Sequence, residues 1–291
     1  MAPRRESAKE STWFRGLSTA AAKGKDAHGC VHPEKSGNVP EEPRQWCGFE
    51  FAELLEEGLG PGPTLSFTKP PRDPTEQQRL VVRRSQNREE YQLTTDTGRH
   101  LLVARCNTDG RQYDIYVAHD SQPPRPLGPA FRLTSDASRN LWSLHSIRCE
   151  RCESRGRRQC GSREVACMTH YFEAVGEGQA CCMDLRLPEL NEEGDSEVVC
   201  PVCGDSPTGR VLELSTRRPK WNAKHKSLAL DFAGRCSMAS AKNFQLEAPD
   251  KLGKVKLLFG KVADNQFVLD YRYPLGAVQA FAAALSASHW K

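Results

Sequence analysis

From about residue 88 to residue 273 the apolar positions come in short runs with a period near two. The runs are rich in β-branched and aromatic residues, and Gly, Asp, Asn or Pro separate them. This pattern predicts strands over 91–95, 101–106, 113–118, 130–135, 141–147, 164–172, 181–187, 211–215, 227–232, 243–246, 255–262 and 267–273. Ala263-Asp-Asn-Gln266 is the connection of a hairpin, and Gly176-Glu-Gly178 is the turn of another. Many short strands in series point to a closed barrel or a sandwich, because closure removes the exposed edges at which sheets aggregate.

After Pro274 the period changes. Leu275-Gly-Ala-Val-Gln-Ala-Phe-Ala-Ala-Ala-Leu-Ser-Ala-Ser-His-Trp290 is rich in Ala, and proline suits the first turn of a helix. This helix is apolar on nearly every side, with Gln279 the main polar interruption before Ser286. A helix apolar all round must be buried all round, and this one is too short and too rich in small residues for a membrane span. An all-β domain that has to bury a whole helix implies a barrel with the helix inside it.

The first 80 or so residues lack either period. Pro and Gly punctuate them, most densely in Gly58-Leu-Gly-Pro-Gly-Pro-Thr64 and Lys69-Pro-Pro-Arg-Asp-Pro74. Residues 1–84 are read as a disordered N-terminal arm ending in a Pro-rich linker, and 85–291 as the folded domain. Two patches in the arm have helical spacing: Trp13, Phe14 and Leu17, then Phe51, Leu54 and Leu55 with acids between them. Each is either a segment that folds into a partner's groove or a chance apolar cluster in a tail.

Composition adds little to this. A net charge of +4 with 41 basic and 37 acidic residues is too balanced to argue for nucleic acid or a membrane surface. Twelve cysteines with no secretory h-region read as thiols or metal ligands rather than disulfides. The expected location is therefore cytoplasm or nucleus. No nucleophile with a paired base, phosphate-cradling Gly loop or carboxylate pair stands out, so the chain is read as a non-enzyme without a catalytic cofactor.

The last third carries a family signature. Trp221-Asn-Ala-Lys224, Leu228-Ala-Leu-Asp-Phe-Ala-Gly-Arg235, Ser240-Ala-Lys-Asn-Phe-Gln245, Phe259-Gly-Lys-Val262, Phe267-Val-Leu-Asp-Tyr-Arg-Tyr-Pro-Leu275 and Gln279-Ala-Phe-Ala282 resemble the C-terminal domain of tubby-like proteins. The similarity is strong from about Trp221 to the end and alignable back to about Tyr91. The resemblance implies a closed barrel of about twelve strands around a central C-terminal helix. It also implies a non-catalytic adaptor that binds phosphoinositides, especially the 4,5-bisphosphate, with an N-terminal arm that engages ciliary transport machinery. Peripheral membrane and cilium join the expected locations on that basis.

The family's headgroup site is where this chain departs. In the family the principal basic residues follow a Leu-Leu pair within a run of Lys and Arg. Here the stretch is Leu101-Leu-Val-Ala-Arg-Cys-Asn-Thr-Asp-Gly-Arg111, and only Arg105 and Arg111 are basic. A further family Arg corresponds to Thr134, in Arg132-Leu-Thr-Ser-Asp136. A bisphosphate needs Lys or Arg as charge-assisted donors, so these changes weaken the implied site. Arg105, Arg111, Arg132 and Arg139 are the residues that would rebuild it, the alternative being four solvated arginines.

Cys149-Glu-Arg-Cys152 and Cys200-Pro-Val-Cys203 are two Cys-x-x-Cys pairs that could give four thiolates to one structural zinc. The two pairs flank the hairpin 164–187, which would bring them to one end of the barrel. The alternative is unrelated loop thiols. Cys167, Cys181, Cys182 and Cys236 are placed in strands as small core residues, and His145 and His170 as satisfied or exposed rather than ligating. The Cys pairs, with Arg151, Arg155, Arg157 and Arg158 between them, also support an alternative function: a zinc-stabilised nuclear module associated with nucleic acid or transcription.

Overall fold

The computed structural model describes residues 67–118, 128–147, 163–189, 211–250 and 253–290. They belong to one compact unit, residues 61–291. The elements in chain order are β1 (Gln78–Arg84), β2 (Glu90–Thr95), β3 (His100–Cys106), β4 (Gln112–Val117), β5 (Phe131–Ser135), β6 (Leu141–Ser146) and β7 (Arg163–Val175). There follow β8 (Gly178–Pro188), β9 (Val211–Thr216), β10 (Lys220–Asn222), β11 (Ser227–Ala229), β12 (Phe244–Glu247), β13 (Val255–Ala263), β14 (Gln266–Tyr271) and helix α1 (Ala277–Ser286), which ends in a single 3-10 turn, Ala287–His289.

Twelve strands close into a barrel in the order β1-β14-β13-β12-β9-β8-β7-β6-β5-β4-β3-β2, every neighbour antiparallel. β10 and β11 form a separate two-stranded ribbon. Period-2 sequence decides which side chains enter the lumen. In β4, Tyr113 and Ile115 are buried while Gln112, Asp114 and Tyr116 face outward. Eight strands make a barrel whose own side chains fill it, so twelve leave room for another element. α1 supplies it, and all ten of its residues are buried.

The small side chains Ala280, Ala282, Ala283 and Ala284 let the helix fit the lumen, and Val278, Phe281 and Leu285 anchor it. Gln279 is satisfied in the interior: its Oε1 accepts from the Gly276 N–H at 2.8 Å, and its Nε2 donates to the Val165 carbonyl at 3.0 Å. Phe67 and Thr68 lie so close over Gly276 that an added Cβ would meet their backbone at 2.6 Å.

An aromatic layer closes the lumen at the C-terminal end of α1. It runs Tyr91–Tyr113–Trp142–His170–Trp290–Phe244–Phe259–Phe267, with neighbouring ring centroids 4.9–6.5 Å apart, and His289 stacks on Trp142 at 5.5 Å. Between β9 and β12 the chain leaves the barrel and wraps its outer face. There Arg235 forms a forked pair with the buried Asp270, at 2.7 and 2.6 Å, and the Cys236 side chain lies against Gly260.

Three sequence expectations need correction. The sequence pattern extends the arm to residue 84, but β1 pairs with both β14 and β2 and so closes the barrel, while Phe67 is already in the core. Its run Gln-Arg-Leu-Val-Val-Arg-Arg84 holds only three apolar residues in seven and follows a proline cluster, which hid it. The segment 227–232, counted as a barrel strand, is instead β11 of the external ribbon. Cys236 lies in the wrapping segment, not in a strand.

Candidate functional site

The outer wall of β2–β7 carries a ladder of charged and polar residues. The registers place Glu90 opposite Arg105, Arg105 opposite Asp114, Asp114 opposite Arg132, Arg132 opposite His145, and His145 opposite Glu164. Antiparallel strands present directly opposed residues on one face, so all six project outward in one row. Asp114 sits between the two arginines. It accepts from Arg132 Nε at 2.7 Å, while Arg105 Nε reaches Glu90 at 3.4 Å and the Arg105 guanidinium lies over the Tyr116 ring at 5.7 Å.

The other two arginines stand at the rim, on turns rather than strands. Arg111 Nη2 meets Asp109 Oδ2 at 2.8 Å, and Arg139 Nη2 donates to the Asp109 carbonyl at 2.6 Å. Both turns are tied by their own side chains. Asn107 Oδ1 accepts from the Arg111 and Gln112 amides, and Asp136 Oδ1 from those of Asn140 and Leu141. The Asp109 carboxyl is held below the usual range, chiefly by the Arg111 amide it accepts from. Arg139 adopts φ +60°, and its carbonyl accepts from the indole N–H of Trp142.

The four sequence candidates therefore fall into two pairs, Arg105/Arg132 about Asp114 and Arg111/Arg139 about Asp109. Thr134 faces outward in the next row, opposite Gln112. Sequence reasoning missed Asp114 and Glu90, the counter-charges that organise the wall. Strand alternation identifies Asp114 as outward-facing, but only the register shows it between two arginines.

Cys149, Cys152, Cys200 and Cys203 lie outside the described residues, as do Trp13, Phe14, Leu17, Phe51, Leu54 and Leu55. The strand ends that lead to the cysteines are described. Ser146 is opposite Arg163, Pro188 is opposite Val211, and β7 pairs with β8. The end of β6, the start of β7, the end of β8 and the start of β9 are thus four successive positions on one rim.

His170 belongs to the aromatic layer. Trp290 Nε1 donates to its Nδ1 at 2.9 Å, which leaves the proton on Nε2, 3.1 Å from Ser286 Oγ, and that hydroxyl donates to the Ala283 carbonyl. Burial pushes His170 down to about 4, and burial together with Arg139 and Lys242 does the same to His289. His145 sits half-exposed on the charged ladder.

The described residues form a closed antiparallel barrel plugged by its own C-terminal helix, with charged groups arrayed on the outer wall. The model of the Tub family matches residues 134–289, more than half of the chain, which therefore belongs to the tubby family. It is 50% identical over 76 residues to human Tubby-related protein 1, covering 26% of this chain and 14% of that protein. It is 42% identical over 143 residues to Tubby protein homolog 1 of Caenorhabditis elegans, covering 44% and 34%. It is 30% identical over 221 residues to Tubby-like F-box protein 6 of Arabidopsis thaliana, covering 67% and 51%. The matched segment thus spans 14% to 51% of these relatives' own lengths.

Proposed function

We propose that this chain is a non-enzymatic adaptor whose barrel engages a phosphoinositide membrane, a protein partner, or both, and whose N-terminal arm recruits trafficking machinery, including that of cilia. The observation that carries the reading is the Arg105–Asp114–Arg132 array. It presents two guanidiniums on one face with a single carboxylate between them. Exposed ion pairs such as these are worth about 0–1 kcal/mol each. A bisphosphate headgroup carries more negative charge than either carboxylate and would compete with Glu90 and Asp114 for the two arginines.

The test is sedimentation of the full chain with liposomes containing phosphatidylinositol 4,5-bisphosphate, against neutral liposomes. Selective pelleting that Arg105→Ala/Arg132→Ala abolishes is the expected result. A folded chain that stays in the supernatant would leave the barrel as a protein-binding scaffold.

The strand ends favour a second element of the reading, a structural zinc held by Cys149, Cys152, Cys200 and Cys203. Both Cys-x-x-Cys pairs lie on connections that leave one rim at neighbouring positions. Four thiolates would fill the coordination sphere, so the metal would contribute stability rather than catalysis. One zinc per chain by elemental analysis, lost in Cys149→Ser/Cys200→Ser, is expected. Metal-free wild type would remove this element and, with it, the basis for the nuclear nucleic-acid alternative.

A further inference from the structure

The β7–β8 hairpin runs on beyond its neighbours. β6 stops pairing with β7 at Leu141–Thr169, and the His170 amide then donates to the Asn140 carbonyl at 2.7 Å. Five further pairs, from Tyr171–Cys182 to Val175–Gly178, complete the hairpin. Amide directions alternate along a strand. Tyr171, Glu173 and Val175 therefore bond to β8, while the N–H and C=O groups of Phe172 and Ala174 point as His170 does, toward the side that β6 has left. Among the described residues nothing meets them there.

The edge of β8 is treated differently. Beyond the Asp184–Ser215 pair, Thr216 Oγ1 accepts from the Met183 amide at 2.8 Å and donates to its carbonyl at 3.1 Å. The outer face of the hairpin is covered as well. The Trp221 side chain lies on the turn, where a Cβ added at Gly176 or Gly178 would sit 2.4 or 2.9 Å from it, and Arg218 pairs with Glu173 at 3.0 Å. Around the open β7 edge the side chains are apolar. Phe172 is 63% exposed on the face that continues the lumen, and Tyr171 at 39% and Leu141 at 46% are exposed on the outer face. Three of the five large apolar side chains exposed among the described residues thus flank one short stretch of bare backbone. Natural edges are blunted by lysine, proline or a bulge. Tyr171–Ala174 has none of these, and its one charge, Glu173, is already met by Arg218.

We propose that this edge is a peptide-binding site, to which an extended segment of a protein partner adds as a further strand. The inference rests on the adaptor reading and gives its protein partner a place on the barrel. The open groups define the ligand. Donors and acceptors alternate in the plane of the sheet, and another extended backbone is what matches them. Successive side chains of the added strand fall on opposite faces, one beside Phe172 and the next beside Tyr171 and Leu141. The segment therefore carries consecutive apolar residues of β-branched or aromatic type. Edge-to-edge pairing with a second copy of this chain would rest on Tyr171–Ala174, well short of the roughly 20–30 residues a side that hold a stable dimer.

The full chain is used to select binders from a displayed library of random dodecapeptides, and the affinities of the synthesised peptides are measured by fluorescence anisotropy. The Ala174 amide lies outside the β7–β8 ladder, so Ala174→Pro removes a donor from the edge and leaves the hairpin bonded. It is expected to weaken the peptides about tenfold or more. Phe172→Ser is expected to weaken them several-fold, and the distant Arg105→Ala/Arg132→Ala to leave them within about twofold. N-methylation of alternate peptide amides should abolish binding in one register and be tolerated in the other. Near-UV circular dichroism checks that each variant is folded, and should Ala174→Pro not fold, Phe172→Ser and the two N-methyl registers decide. Failure to select any peptide that needs Phe172 overturns the proposal, as does binding indifferent to the N-methyl register. So does a wild-type dimer in sedimentation equilibrium that Phe172→Ser dissociates, which would assign the edge to a second copy. No lipid is present, so failure of the headgroup site leaves this result unchanged, and failure here leaves the liposome result unchanged.

Discussion

His170 shows how a polar residue survives in an apolar plug. Trp290 donates to one ring nitrogen, the other faces Ser286, and Ser286 donates onward to the Ala283 carbonyl. Protonating Nδ1 would set two donors against each other, and burial, with His289 nearby, lowers the ring to about 4, so the folded state favours the neutral form. The unfolded chain binds that proton near the ordinary 6.5. Between these values the unfolded state therefore carries more protons, and stability rises with pH. Calorimetry is expected to show a melting temperature level above about pH 6.5 and falling toward pH 4. For a group this buried the whole shift corresponds to about 3 kcal/mol. His289 adds in the same direction, and His170→Gln should flatten part of the slope. Asp270 supplies a second case. It is 2% exposed and rests on Arg235 and Gln77. Arg235→Met leaves its charge nearly alone, at an expected cost of about 3–5 kcal/mol in chemical denaturation. Neither network was legible in the sequence. The strand pattern leaves His170 either satisfied or exposed, and the partners that decide between the two lie more than 100 positions away.

At the scale of elements, the hydrophobic period located the barrel well where strands alternate cleanly, and an all-round apolar helix implied a lumen to hold it. The period failed where closure was at stake. β1 has arginines at both ends of a short apolar run, and its role is fixed by pairing with β2 and with β14, nearly 190 residues away in sequence. A chain beginning at residue 85 is accordingly expected not to fold, because it leaves two strand edges open and exposes the lumen. A chain beginning at residue 61 should melt like the full chain. The same segment fixes the start of α1. Gly276→Ala would push a methyl group into the backbone of Phe67 and Thr68, with an expected loss of about 1–3 kcal/mol by overpacking. Helix prediction from Pro274 was close. α1 starts at Ala277 because the Gly276 amide is met by the Gln279 side chain, in the manner of a capping box.

Over the whole molecule, a nearly neutral chain has sorted its charges onto surfaces. The β2–β7 wall sets Arg105 and Arg132 against Glu90 and Asp114, and the rim ties Arg111 and Arg139 to Asp109. The sequence named the four arginines as candidates but could not show that register places a carboxylate between two of them. The adaptor reading turns on what Asp114 does. If the wall receives an anion, Asp114 is a competitor held in place of the ligand, and removing its charge should help. If the ladder is only structural, Asp114→Asn should cost a little stability and change nothing else. The decisive measurement is the affinity of the full chain for phosphatidylinositol 4,5-bisphosphate liposomes in wild type, Asp114→Asn and Arg105→Ala/Arg132→Ala. The account predicts binding about fivefold tighter in Asp114→Asn, the worth of one exposed ion pair, and loss of binding in the arginine variant. Equal binding by all three folded proteins would contradict it.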